Sequence, residues 1–236
     1  IAVTFNASWH VWAGYWEAAQ TETFLMLFVL MAFFAVGREG PRVNLRHVLA
    51  GVLFAIAFWL KYNALAMLPF VILAPYLDTS QLDAPPRRVR LTIPWRQWLQ
   101  RSLFFGAGFG AVAVAVLAQF WVSGSWAALM EVQFEVLPRY SAMALERTPY
   151  YPLWALSQTE FVVGAATEIA TLVALVVAWR QRDLARFAPV FLALAMGYLS
   201  TASQVRFHAY AFETCYPFFA IMWGYLAVKI WRGFRT

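Results

Sequence analysis

Charged side chains are scarce in this chain: Asp, Glu, Lys and Arg make up 13% of its 236 residues. A soluble domain of ordinary composition carries roughly 25% charged residues. Hydrophobic residues make up 62% and aromatic residues 18%, and the mean hydropathy is +0.60. This balance excludes an ordinary soluble domain and indicates an integral membrane protein.

Several motifs of familiar enzyme and metal sites are missing as well. No Gly-rich phosphate loop precedes a Lys-Ser or Lys-Thr pair, which excludes a nucleotide motor, and no Ser-His-Asp set is visible by motif. Cys215 is the single cysteine, so an internal disulfide is excluded. His10, His47 and His208 are too scattered for a metal site by spacing, although His10 or His208 could singly ligate a pigment or haem.

The beginning of the chain has neither an initiator methionine nor a leader. The first residue is Ile1, and no basic segment precedes an apolar stretch as it does in a signal peptide. We therefore expect a single transmembrane domain, residues 1–236, that lacks its N-terminal part.

Apolar runs that suit membrane crossing recur along the chain. A spanning helix needs about 20 largely apolar residues, and we predict an all-α polytopic transmembrane bundle of about seven spans. Residues 48–77 would measure about 45 Å as one helix, against about 30 Å of hydrocarbon. We favour two short spans that turn at Lys61-Tyr62-Asn63, and a single kinked helix is the alternative. The predicted spans are 23–36, 48–60, 63–77, 103–122, 161–179, 187–200 and 212–228.

Cations are distributed unequally between the two sides that these spans define. Three loops and the C-terminus, all on one side, hold fourteen of the eighteen Lys and Arg, and the positive-inside rule places that side in the cytoplasm. Since membrane orientation explains the net charge of +6, nucleic acid is not an expected partner. We expect a bacterial inner membrane protein with a cytoplasmic C-terminus. The cytoplasmic loops are 38–47, 78–101 and 180–186, and the outward segments are 1–20, 61–63, 123–158 and 203–211.

The longest outward loop contains a further predicted helix. Ser125 is a suitable N-cap for a helix over 126–137, which Pro138 ends. Its apolar residues follow helical spacing, with Glu131 and Glu135 on another face. This pattern predicts an amphipathic helix that lies in the membrane interface.

Two carboxylates at the outward end of the first clear span are candidate catalytic residues. Glu22 sits at the start of that span, and Glu17 lies on the same short segment. Partial desolvation at the bilayer surface can raise the pKa of a carboxyl group, which suits a general acid or base. The alternative is that Glu22 only marks where the membrane begins.

Lys61 is a candidate ligand for a phosphate group. It interrupts two apolar stretches on the side that carries few cations. A lysine there either extends its ammonium group toward water or holds a phosphate as a point charge, and we favour the second role. Tyr62 beside it is a candidate substrate contact or structural residue.

A second outward turn combines a cation, an imidazole and a phenol. Arg206 and His208 suit an anionic head group, because the guanidinium offers a fork of donors to phosphate oxygens. Tyr210 and Glu213 follow as substrate contacts or structural residues. The alternative is an interfacial belt with one structural pair, such as Arg206 with Glu213.

Glu168 is a carboxylate within the fifth predicted span. An intramembrane carboxylate is energetically costly and usually faces a partner or a cavity. It either serves the function or is protonated and hydrogen-bonded to a neighbouring helix.

Three stretches resemble the polytopic GT-C glycosyltransferases. The first is Ala19-Gln20-Thr21-Glu22, which opens an apolar span that ends in a basic loop. The second runs from Leu49 to Leu65 and contains a glycine, an apolar run and then Lys-Tyr. The third is Arg206-Phe207-His208-Ala209-Tyr210, which leads to Tyr216-Pro217. The nearest relatives by this resemblance are the dolichyl-phosphate-mannose protein mannosyltransferases and the bacterial aminoarabinose transferases.

The resemblance implies a hexosyl- or pentosyltransferase that takes sugar from a polyprenyl-phosphate carrier on the outer membrane face. Glu22 then matches the second acidic position of the family, Lys61 the lysine after the Gly-containing span, and Arg206 the basic residue near the carrier phosphate. The family's essential acid is usually an Asp in a first outer loop, and the resemblance implies that this chain begins after that loop, so we expect the acid to lie in a missing N-terminal part or to be lost. The implied partner is a lipid-linked sugar donor, no cofactor is certain, and a divalent metal stays open.

Two other functions remain as alternatives at this stage. One is a non-catalytic subunit of a larger membrane assembly that binds lipid or pigment with a transferase-derived fold. The other is a transporter or flippase with Glu168 on the substrate path. An internal repeat would support a transporter, and the sequence contains none.

Overall fold

A computed structural model describes residues 21–38, 40–78, 90–91, 93–139, 165–181, 183–203 and 209–234. These residues are almost entirely helical, as predicted. The exception is one antiparallel pair of two-residue strands, in which Leu77 lies opposite Leu91 and Asp78 opposite Arg90. The pair joins the two ends of the connection predicted to be cytoplasmic.

The α-helices and strands follow one another in a simple order, with short 3-10 segments between them. In chain order they are α1 (Thr21–Val36), α2 (Val43–Leu60), α3 (Leu68–Leu73), β1 (Leu77–Asp78), β2 (Arg90–Leu91), α4 (Trp95–Val122), α5 (Trp126–Glu131), α6 (Ala165–Arg180), α7 (Ala188–Ser203) and α8 (Tyr216–Gly233). The 3-10 helices are Tyr62–Met67, Ala74–Tyr76, Leu184–Phe187 and Ala209–Thr214, and a π-helix spans Val132–Val136.

Within the described residues, three helices are long and apolar enough to cross a membrane, and several shorter helices are also apolar. The three candidate spans are Val43–Leu60, Trp95–Val122 and Leu184–Thr201. The shorter apolar helices are Phe24–Val36, Tyr62–Tyr76 and Ile169–Arg180. The membrane character predicted from composition is therefore confirmed.

The backbone breaks at Lys61. Helix α2 ends at Leu60, and Lys61 is extended, with φ −161° and ψ 126°. Pro69 and Pro75 then occupy the first turns of α3 and of the next 3-10 helix, where a missing N–H is tolerated. The break predicted at Lys61 is therefore confirmed, and that the two segments are separate spans stays a prediction.

Helix α2 is the centre of the packing, with α1 on one side and α4 on the other. The crossing with α4 uses two reciprocal glycines: a Cβ at Gly51 would lie 1.9 Å from the Phe105 carbonyl oxygen, and one at Gly108 would lie 2.0 Å from that of Val48. Small residues within 103–122 predict close packing. Only Gly108 provides it, because nothing lies within 4 Å of a Cβ at Gly106 or Gly110.

Large apolar side chains fill the space between α1, α2 and the segments around 62–74 and 212–219. This core contains Leu25, Val29, Phe54, Met67, Phe70, Phe212 and Phe218, each at most 2% exposed. The rings of Phe70 and Phe218 meet edge to face, with centroids 5.3 Å apart. Residues distant in sequence thereby hold the 3-10 helix Ala209–Thr214 and the start of α8 against this core.

Several boundaries differ from the prediction. Helix α2 begins at Val43 rather than 48, and α8 covers Tyr216–Gly233 rather than 212–228. Helix α4 begins at Trp95, eight residues before 103, so it takes up part of the basic connection, including Arg96 and Arg101. The predicted helix at 126–137 is present but continues to Arg139, and Ser125 makes no side-chain cap bond. In an α-helix a proline lacks the N–H donor and its ring clashes with the carbonyl oxygen four residues earlier. Pro138 is tolerated here because the preceding π-helix, Val132–Val136, already departs from that hydrogen-bond spacing.

Candidate functional site at the Lys61 end

Three segments that carry predicted site residues pack against one another or against α7, and we call this part of the bundle the Lys61 end. The 3-10 helix Tyr62–Met67 packs against α7, and Ala209–Thr214 packs against both α7 and α1. Helix α1 also contacts Tyr62–Met67. Segments separated by more than 100 residues therefore meet where the sequence analysis placed the outward face.

Lys61 is a half-buried residue that caps the C-terminus of α2. Its backbone N–H donates to the Ala57 carbonyl at 3.1 Å, which closes the helix. A cation at this position is favoured by the negative end of the helix dipole. That stabilisation is compatible with binding an anion, because one ammonium group has three donors.

Glu213 is a buried carboxylate, 4% exposed, just before α8 begins. Thr214, its neighbour, is fully buried, and its hydroxyl donates to the Gly197 carbonyl of α7 at 3.4 Å. The Thr201 hydroxyl donates to the same carbonyl at 3.2 Å. The Lys61 end thus contains buried polar groups rather than an apolar plug.

Asn63 and Ser200 form a polar bridge that the sequence analysis did not single out. The Asn63 side-chain NH2 donates to Ser200 Oγ at 2.9 Å, and Ser200 Oγ donates to the Asn63 carbonyl at 3.1 Å. The single hydroxyl proton of Ser200 is used in the bond to the Asn63 carbonyl, so the Asn63 side-chain amide must present its NH2 group to the Ser200 oxygen. Asn63 Oδ1 is left as a buried acceptor without a partner. The only sign of this bridge in the sequence was that Asn63 and Ser200 each stand at the end of an apolar run.

Beside this polar region lies an apolar groove of about 300 Å³. Its walls come from the end of α2, from α4 and from the helix that follows Ser125. We call it the aromatic groove, and its lining residues are Phe58, Trp59, Tyr62, Leu117, Leu129, Met130, Gln133 and Phe134. Two of these walls, α2 and α4, are candidate spans, and the groove lies near the C-terminal end of each.

One side-chain hydrogen bond crosses the groove. The Gln133 amide donates to the Tyr62 hydroxyl, which joins the helix after Ser125 to the residue that follows Lys61. Gln133 lies within the π-helix Val132–Val136, and such π-helical turns are frequent at functional sites. Tyr62 is therefore part of the groove, in keeping with its predicted role as a substrate contact or structural residue.

A second polar cluster lies where α6 ends and α8 approaches its own end. Lys229 and Tyr225 donate to Asp183 at 3.3 and 3.1 Å, and Arg186 lies 3.8 Å away. Burial alone would raise the pKa of the Asp183 carboxyl, but these bonds and the charges of Lys229 and Arg186 outweigh it and hold the pKa below its usual value. This cluster is an ion pair between elements, which is a structural role.

The remaining predicted residues are described only in part. Glu22 lies in the first turn of α1, Glu168 in the first turn of α6 and Tyr210 in the 3-10 helix Ala209–Thr214. Their roles stay predictions. Three further predicted site residues lie outside the described residues: Glu17, Arg206 and His208.

Metal-binding groups do not converge within the described part of the chain. No set of three or more His, Cys, Asp or Glu side chains lies close enough there to hold an ion.

Comparison with known proteins adds no family assignment: no protein-family model, no curated protein and no solved structure matches this chain.

Proposed function

We propose that this protein is a membrane glycosyltransferase that moves a sugar from a polyprenyl-phosphate carrier to an acceptor. The observation that supports it best is the position of the aromatic groove. One helix, α2, contributes Phe58 and Trp59 to an apolar groove and then ends at the half-buried Lys61. An amphipathic lipid with an anionic head group matches this succession of apolar wall and cation.

The proposed topology extends the three candidate spans to about seven, with the Lys61 end outward and the C-terminus in the cytoplasm of a bacterial inner membrane. Two features support it. The hydrogen bond from Gln133 to Tyr62 joins two segments assigned outward by the charge bias, and that from Asn63 to Ser200 joins an outward segment to the outward end of the span 187–200. The ion pair of Asp183 with Lys229 joins two segments assigned to the opposite side.

In the proposed reaction, an acceptor hydroxyl attacks the anomeric carbon of the carrier-linked sugar. The new C–O bond forms as the bond between that carbon and the phosphate oxygen breaks, and the electron pair stays on the phosphate. Lys61 and Arg206 stabilise this developing charge. A carboxylate, Glu22 or Glu17, takes the proton of the acceptor. Membrane lipid and the carrier are the expected partners.

Binding of prenyl phosphates to the purified protein in detergent tests this proposal. We expect farnesyl phosphate to bind about tenfold or more tightly than farnesol, because a hydrogen bond to a charged group contributes about 1.5–3 kcal/mol. Lys61→Met should remove most of that difference. Lys229→Met is the matched control, since Lys229 is the other lysine of the chain and pairs with Asp183 in the second polar cluster.

The outcomes separate the candidate functions. Equal affinity for the phosphate and the alcohol would refute the proposed carrier site. Phosphate-dependent binding without release of sugar from a prenyl-phosphate-linked donor, assayed with mixed membrane acceptors, would instead favour the non-catalytic subunit. Release of sugar that Lys61→Met abolishes and Lys229→Met retains would establish the transferase.

A further inference from the structure

We infer that the aromatic groove takes one prenyl chain and contacts only about its first two isoprene units. This inference rests on the proposed function and specifies the part of the carrier that the protein recognises. It follows from three features of the groove: its volume, its polar rim and the origin of its walls.

The volume limits how much chain can enter. An apolar protein cavity of about 150 Å³ holds benzene, a ring of six carbons. On that scale the groove, at about 300 Å³, holds about twelve carbons. Two isoprene units contain about ten, so the groove is nearly filled by them, and a diacyl lipid would leave its second chain outside.

The polar rim orients the chain. Tyr62 and Gln133 are hydrogen-bonded to each other at one edge of the groove, and Lys61 directly precedes Tyr62. Phe58 lies one helical turn before Tyr62, and Leu117 lies five residues before the end of α4. Lys61 does not itself line the groove but is the cation nearest to it along the chain, so we place the phosphate at the Tyr62 edge with the chain running toward Phe58 and Leu117.

The walls of the groove explain why recognition of the prenyl chain stops after its second isoprene unit. On one side the groove is bounded by the two candidate spans and on the other by the helix after Ser125, which reaches only from Leu129 to Phe134 along it. Carbons beyond the second unit leave the groove and lie among lipid or detergent tails. They meet the same apolar surroundings before and after binding, so they add no affinity.

A chain-length series tests the inference. Prenyl phosphates of one to four isoprene units are titrated against the protein in detergent, and each affinity is expressed against the mole fraction of the ligand in the micelle. Because a unit inside the groove gains packed contacts with aromatic walls, we expect a rise of about threefold or more from one to two units. Addition of a fourth unit should change the affinity by less than about twofold.

Filling the deep end of the groove should shorten the recognised chain. Leu117→Trp places a larger side chain there, and the affinity should then stop rising after the first unit. Val114→Trp is the control: it adds the same side chain on the same helix at a position that is 67% exposed, outside the groove. Met130→Phe provides a milder filling if Leu117→Trp fails to fold.

Each result has one reading. An affinity that climbs equally through four units, a plateau that Leu117→Trp and Met130→Phe leave in place, or equal competition by phosphatidic acid overturns the inference. If the phosphates bind no better than the alcohols but the alcohols show the plateau and its shift, the groove assignment stands and the proposed carrier site fails. If the phosphates bind better than the alcohols and reach a plateau at two units that Leu117→Trp and Met130→Phe shift to a shorter chain, both the groove assignment and the proposed carrier site are supported.

Discussion

The crossing of α2 and α4 yields the sharpest prediction, because glycine there is required by contact with backbone atoms. At Gly51 an added Cβ would lie 1.9 Å from the Phe105 carbonyl oxygen and 2.9 Å from the Phe109 nitrogen. Ordinary contact begins near 3.4 Å. The helices would therefore have to separate by about 1.5 Å, the difference between 3.4 and 1.9 Å. No side-chain rotation can relieve a clash between backbone atoms and a Cβ.

The expected magnitude is the cost of overpacking minus a gain in helix propensity. Overpacking of a well-filled interior costs about 1–3 kcal/mol, and the rigid partner places Gly51→Ala and Gly108→Ala near the upper value. Alanine returns up to about 1 kcal/mol in a helix. We expect a net loss of about 2 kcal/mol for each variant. Gly106→Ala and Gly110→Ala should be neutral or stabilised by up to about 1 kcal/mol, since open space surrounds them.

The single cysteine supplies the assay. Cys215 is fully buried within the core that also contains Phe54 and Phe70, so a maleimide should label it only after that core opens. Labelling is followed through a titration with sodium dodecyl sulfate in mixed micelles. A shift of the midpoint for Gly51→Ala and Gly108→Ala, without a shift for Gly106→Ala or Gly110→Ala, is the expected pattern.

The double variant Gly51→Ala/Gly108→Ala adds a stricter test. Both Cβ atoms meet the same helix crossing, so one separation of the helices relieves both clashes, and the combined loss should be smaller than the sum. Equal midpoints for all four single variants would refute the close crossing. Additive losses would show that the two glycines do not share one contact.

Three further predictions use the same titration. The pKa of the Asp183 carboxyl is lowered, so its ion pair contributes stability that is fully present above pH 3.8 and is lost as the pH falls through the lower folded pKa. Asp183→Asn should flatten this acid dependence, which is followed by tryptophan fluorescence because a maleimide reacts with the thiolate and does not label at such pH. Phe54→Ala, at a fully buried site, should lose about 3–5 kcal/mol, whereas Phe34→Ala, 62% exposed, should lose far less. Ser200→Ala leaves the Asn63 amide unpaired and should cost about 1–3 kcal/mol, and an unchanged midpoint would contradict that bridge.

Hydropathy was sufficient to predict the helical membrane character and the break at Lys61. Both depend on runs of neighbouring residues: a span needs length and apolarity, and Lys61 interrupts an apolar run that is too long for one helix. The start of α4 was predicted eight residues late because Arg96 and Arg101 read as loop residues. Arginine is nonetheless a good helix former, and a span can continue beyond the hydrocarbon.

The sequence predicted which segments come together at the Lys61 end, but it did not predict the aromatic groove beside them. Charge bias placed Lys61 and Glu213 on the same side, and their segments do pack around α7. Nothing in the sequence paired Asn63 with Ser200, 137 positions apart, or Gln133 with Tyr62. Such pairs depend on which helix faces meet, and local composition carries no information about that.

The sequence by itself determined the class of protein, the polar ends of its helices and a lysine at a break between apolar segments, because burial in lipid acts on each residue according to its own chemistry. Only the tertiary structure decided which surfaces touch. Gly106, Gly108 and Gly110 are chemically identical and lie on one helix, yet only Gly108 faces the Val48 carbonyl. The rotation and crossing of α2 and α4 make that distinction, and the same geometry leaves the aromatic groove beside Lys61.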